Sequence, residues 1–197
     1  MKTILILAPH TDDGELGCGG TISKKIELGY EIHYVAFSYC GSDTLKHEVG
    51  LACKILKTKS LTLFSYPVRT FSTKRQEILD DMIKLRENIL PDIVFVPAPQ
   101  DVHQDHQTIT SEALRAFKFS SIIAYEMPWN NFSFHTNHFV ILSEKDINNK
   151  CAALACYKSQ HHRPYCNSEF IKSLAMVRGT QINTQYAESF EILRWID

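Results

Sequence analysis

The chain has 197 residues, of which 44% are hydrophobic and 22% charged, and its 21 basic against 22 acidic residues give a formal net charge of −1. That length fills one hydrophobic core and is short for two, and the composition excludes disordered and collagen-like chains. A near-neutral balance without a long basic or acidic run removes the electrostatic case for nucleic acid or an anionic membrane as the main partner. Residues 4–8 form a short continuous apolar run, the pattern of a strand buried on both faces. The run is too short to span a bilayer and lacks a cleavage region, so it reads as a first strand and not as a leader or an integral membrane segment. Helical spacing follows over 16–28, with Gly29 just past its end, where a left-handed conformation costs little. Next come a strand over 31–38, a helix over 43–56 capped by Ser42 or Asp43, and a strand over 60–64. A helix over 73–88 capped by Ser72 or Thr73 and a strand over 93–96 continue the alternation. Beyond the loop 98–104 lie a helix over 105–119, strands near 122–125 and 138–142, helices over 144–157 and 168–177, and a last strand near 190–195.

Alternation of this kind predicts an α/β, Rossmann-like fold: a mostly parallel sheet with helices on both faces, in a single domain over 1–197. Cys18, Cys40, Cys53, Cys151, Cys156 and Cys166 form no CxxC, and the chain is too large to need stapling, so they read as reduced thiols in a cytoplasm.

In such a sheet the ligand site lies outside the carboxyl ends of the strands. Two polar clusters fall there. Pro9-His10-Thr11-Asp12-Asp13 leaves the first strand, and His103-Gln104-Asp105-His106 follows the fourth. A divalent metal, zinc or alternatively iron(II), is suited to His10, Asp13 and His106, with a coordination position left open for water. Asp12 would then be spare as a proton acceptor, and His103, in protonated form, would donate to charge developing on a substrate oxygen. These parts suit metal-assisted hydrolysis.

The run from Ala8 to Thr21, APHTDDGELGCGGT, resembles the signature of the PIG-L/LmbE family of metal-dependent N-acetylglucosaminyl deacetylases, and 103–106 resembles its second motif. Glu48 with Ala52 and Leu56, Tyr125-Glu126, Ser159-Gln160, Arg178-Gly179 and the run 186–190 are similar to later family segments. The resemblance implies that His10, Asp13 and His106 bind zinc, that Asp12 is the general base and that His103 is the electrostatic or acid catalyst. It further implies that Asp105 orients a histidine. The expected activity is removal of an N-acetyl group from a small amino sugar or its conjugate. An amidase for another N-acyl group, such as N-formyl, and a non-catalytic sugar- or nucleotide-binding module are the alternatives. Homo-oligomers are common in the family, and one is expected here. Thr11 stands where the family usually has proline, Gly14 fills a variable position, and Pro67-Val68-Arg69 replaces a frequent Asp-Gly pair near the substrate.

Simpler readings compete at several positions. Asp12 or Asp13 alone could be only a helix N-cap. The glycines 17, 19 and 20 are not spaced as GxGxxG and read as sites of close helix packing, with Cys18 a packing thiol. His33 and His138 read as structural, and His47 and His135 as surface residues. Arg69, Gln160, His161 and Arg178 are the candidate substrate residues, and Arg163 is also available for a phosphate.

Overall fold

In the computed structural model, which describes residues 2–197, β1 (Thr3–His10) turns its side chains alternately into two cores. Ile4, Ile6 and Ala8 enter one and Leu5 and Leu7 the other. Successive strand residues point to opposite faces, so an unbroken apolar run is what double burial requires. β2 (Glu31–Ser38), β3 (Ser60–Leu63), β4 (Ile93–Pro97) and β5 (Ser121–Tyr125) extend a parallel sheet around it. β6 (His138–Leu142) and β7 (Tyr186–Arg194) complete seven strands in the order β3-β2-β1-β4-β5-β7-β6, with β7 antiparallel to both neighbours.

Helices α1 (Asp13–Glu27), α2 (Asp43–Leu56), α5 (Glu144–Leu154) and α6 (Ser168–Thr180) cover the face that holds Ile4 and Ile6. Helices α3 (Arg75–Ile89) and α4 (Gln104–Ala116) cover the other. α1 lies close to the sheet because Gly17 has no side chain: a Cβ there would sit 2.3 Å from Cδ2 of Tyr125. Its axis kinks at Cys18, and Glu188 of β7 accepts from the backbone N–H groups of Gly20 and Thr21 just beyond. The Cys18 thiol is buried and bonds the Gly14 carbonyl, a packing role. Among the described residues no helix is long and apolar enough to cross a membrane.

α1 begins at Asp13 and α4 ends at Ala116, each three residues before the sequence reading, α6 runs on to Thr180, and three further segments differ. Neither Ser72 nor Thr73 caps α3; residues Phe71–Thr73 form a separate 3-10 turn, Lys74 holds the N-cap position, and the Thr73 hydroxyl bonds back to Thr70. α5 stops at Leu154, short of 157, because Tyr157 turns inward to bond the Thr11 carbonyl. β7 begins four residues before 190: Glu188 and Ser189 look like loop residues but are buried, with Glu188 paired to Lys150.

From β3 at one edge the chain crosses to β4 on the far side of β1, which makes the carboxyl ends of β1 and β4 the topological switch point. His10 is the last residue of β1, and the loop after β4 leads to His103 and α4.

Candidate metal centre

Three donors meet at that switch point. His10 Nδ1 lies 3.0 Å and His106 Nε2 3.2 Å from the same Asp13 oxygen, and one donor atom from each of the three residues falls within 4.8 Å of the others. Asp13 is held by its own turn, since that oxygen also accepts the His10 backbone N–H at 2.8 Å. Burial alone would lower the two imidazole pKa values, but Asp13, together with hydrogen bonds to Asp105 and Asp101, overrides it, raising His10 to about 9 and His106 to about 10. The same histidines hold the Asp13 carboxyl well below the usual carboxylate range against its burial. Two imidazolium groups converging on one shared carboxylate in a nearly dry site is an arrangement into which a divalent cation can enter with loss of two protons.

The far side of each ring is already engaged. His10 Nε2 lies 3.2 Å from Asp105, and His106 Nδ1 lies 2.7 Å from Asp101. Metal-binding imidazoles characteristically give their second nitrogen to a carboxylate in this way. Asp105 also accepts the backbone N–H groups of Arg69 and Phe71, so both its oxygens are occupied. For this reason His10, Asp13 and His106 are the better cation site than the alternative trio His10, His103 and Asp105.

Asp101 opens the polar run 101–106 after the fourth strand, but the sequence assigns it no role. It is fully buried, receives His106 with one oxygen and the His103 N–H with the other. The only advance signal is a carboxylate on the loop leaving β4, five residues before a histidine. Asp101→Asn is expected to weaken metal affinity or turnover about 10- to 100-fold, read by metal titration and by kcat/KM.

His103 sits at the N-cap of α4, its Nδ1 accepting the Asp105 N–H at 3.2 Å. The proton of the neutral ring is therefore on Nε2. Burial and the neighbouring His106 and His10 push its pKa down, so the expectation of a protonated His103 gives way to a neutral N–H donor.

Asp12 makes no helix-capping bond with its side chain, and Asp13 turns its carboxylate to the histidines, so the simple N-cap reading fails for both. Burial and the Asp13 charge raise the Asp12 pKa to about 6. Behind this turn, Tyr34 and Tyr157 each bond both the Thr11 carbonyl and the buried Glu15 carboxyl. Gly14 is not free to vary here, because a Cβ would sit 2.6 Å from the Tyr34 ring and hydroxyl. Burial pushes Glu15 up to about 8. From the ordinary 4.5 up to 8 the folded state holds a proton that the unfolded chain has released, so stability falls as pH rises across that window. Glu15→Gln should remove this loss, gaining roughly 2–3 kcal/mol relative to wild type between about pH 6 and pH 8 in denaturant melts.

The metal-competent residues open into a cavity of about 360 Å³ that Arg69, Gln160 and Arg163 also line. Two of the expected substrate residues do not reach it. Arg178 is paired with Glu126, and His161 is exposed outside the cavity lining. His33 bonds Ser60 and Glu31, as a structural histidine does.

Comparison with known proteins decides the family. The PIG-L family profile, described as GlcNAc-PI de-N-acetylase, matches residues 5–117. The chain belongs to the PIG-L family. One relative, the uncharacterised deacetylase YaiS of Escherichia coli K12, is 30% identical over 173 residues, covering 80% of this chain and 91% of YaiS. The diacetylchitobiose deacetylase of Thermococcus kodakarensis is 22% identical over 225 residues, covering 98% of this chain and 84% of that protein. Among solved structures, the 4-carboxy-2-hydroxymuconate hydratase GalB of Pseudomonas putida KT2440 superposes with a TM-score of 0.80 at 21% identity, covering 100% of this chain and 98% of that one.

Within this PIG-L chain the segments that resemble later family motifs have structural partners. Glu48 of α2 accepts from the Ser159 N–H and hydroxyl, which anchors the segment carrying Gln160 and Arg163 beside the cavity. Glu126 accepts from both Arg178 and Ser189, tying α6 to β7. Of these segments only the one after Ser159 faces the cavity, through Gln160; the Glu48, Glu126 and Arg178 contacts lie outside its lining.

Proposed function

We propose that this PIG-L chain, over 1–197, is a metal-dependent hydrolase that removes the N-acetyl group from a small amino sugar or amino-sugar conjugate, giving a free amine and acetate. The observation that carries this reading is the convergence of His10, Asp13 and His106 beside Asp12, with the outer nitrogen of each histidine held by Asp105 or Asp101. The likeness to a diacetylchitobiose deacetylase supports an amino-sugar substrate. A hydratase shares the fold, so the choice of hydrolysis rests on the family and the site and not on architecture.

His10, Asp13 and His106 would hold the ion, with zinc proposed on the basis of a nitrogen and oxygen donor set and iron(II) the alternative. When bound, a divalent metal supplies Lewis acidity that acidifies water and polarises an amide carbonyl. Asp12 lines the cavity and is ionised at neutral pH, and so takes a proton from the attacking water and returns it to the departing nitrogen. His103 donates its Nε2–H to the oxygen on which negative charge develops. Asp105 and Asp101 fix the tautomers and ring planes of His10 and His106. The six free thiols support a cytoplasmic setting.

The test is a panel of N-acetyl and N-formyl amino sugars assayed for both amine and acid release. Equal amounts of amine and acetate support the reading; formate release in preference to acetate moves the activity to another N-acyl group.

A further inference from the structure

Five of the seven arginines are engaged by the protein itself. Arg75 and Arg115 pair with Glu112, Arg178 pairs with Glu126, Arg86 bonds the Ala116 carbonyl and Arg194 the Phe117 carbonyl. The remaining two, Arg69 and Arg163, make no salt bridge among the described residues, although the Arg163 charge acts on the nearby Asp12, and both line the metal-centre cavity. Among the described residues the Arg69 guanidinium makes no hydrogen bond, and that of Arg163 bonds only the Tyr165 hydroxyl. A lone arginine on an open surface is merely solvated. Arg69 and Arg163 are themselves exposed, but they line one concave site from separate chain segments.

Both segments are fixed in place. Arg69 adopts a left-handed backbone, φ 64°, held by the bond from its N–H to Asp105 and by Gln104, which donates to its carbonyl. The Arg163 segment is tied at Ser159 to Glu48, and Tyr165 stacks on Trp129 with ring centres 3.9 Å apart. A guanidinium offers a planar fork that matches carboxylate or phosphate oxygens, and a fixed backbone beneath it reduces the freedom lost on binding. The cavity volume of about 360 Å³ is at the small end of ligand sites and matches a single sugar with one substituent.

We propose that Arg69 and Arg163 form an oxyanion subsite, so that the substrate is one N-acylated amino sugar carrying a carboxylate or phosphate group; this rests on the hydrolase reading above. The reacting amide would be held beside His10, Asp13 and His106, and the anionic group by the two arginines that line the same cavity. With a net charge of −1 the protein offers no general field for such a ligand, and recognition is local.

Calorimetry with glucosamine 1-phosphate, 2-amino-2-deoxyglucuronic acid and glucosamine tests the subsite through the reaction products, independently of turnover. At least one anionic amine should bind the wild-type protein on the order of ten- to a hundredfold more tightly than glucosamine. That preference should shrink about tenfold in Arg163→Gln and in Arg69→Gln, return in part with Arg163→Lys, and weaken with added salt. A response to the phosphate alone, or to the carboxylate alone, identifies the substituent. Equal affinities for all three amines, or a preference that survives both Gln substitutions, overturns the subsite. Arginine-dependent binding without acetate release from any N-acetylated counterpart leaves the subsite standing and removes the hydrolase reading.

Discussion

Asp12→Asn is expected to lower kcat on an N-acetylated amino sugar by about 10²–10⁴-fold with metal content unchanged. Asparagine keeps the shape of the turn and cannot accept a proton from water. The effect on metal is small because the Asp12 carboxyl is outside the donor trio, while Asp13 alone carries the charge that His10 and His106 share. Its position in the pH profile follows from its environment. Burial and the Asp13 charge put Asp12 at about 6, so the basic form that turnover requires is lost as pH falls through that value. The acid limb of kcat/KM should sit near pH 6 in the wild-type enzyme and vanish in the variant. A variant that turns over at the wild-type rate removes Asp12 from the chemistry.

The second large effect is on metal. His106→Ala and His10→Ala should each cut metal affinity by more than about a hundredfold, beyond what loss of an outer carboxylate costs. Asp13, with Asp105 on His10 and Asp101 on His106, raises the two imidazoles to about 9 and about 10. Binding at neutral pH must therefore expel protons, up to two per ion, and apparent affinity should fall as pH is lowered from about 9. Calorimetry in buffers of different ionisation enthalpy counts those protons. Each alanine variant should release fewer, since it has one fewer imidazolium to discharge. Release of none from the wild-type protein would contradict the His–Asp–His assignment.

What could be read in advance was what the chain encodes locally. Residues 4–8 and 93–96 are apolar at every position because both faces of β1 and β4 are covered, and Gly29 stands at φ 84° past the end of α1. His10, Asp12, Asp13, His103, Asp105 and His106 were visible because the two clusters leave strands that the topology sets side by side. What escaped depends on partners far away in the chain. Arg178 looked available until Glu126, 52 residues earlier, claimed it. Asp101 has no meaning before the loop folds it against His106. The start of β7 was hidden because Glu188 is buried only by virtue of Lys150 and the open N–H groups at the α1 kink. Gly14 looked interchangeable because nothing near it in sequence announces Tyr34, which comes from the next strand.

The most direct test of the central claim is acetate and amine release by the purified protein before chelation, after chelation, and after return of zinc(II) or iron(II). One acetate per amine is expected, with turnover lost with the metal and recovered on its return in the wild-type protein but not in His106→Ala. Turnover that persists after complete metal removal, or that is undiminished in His106→Ala, would contradict the claim.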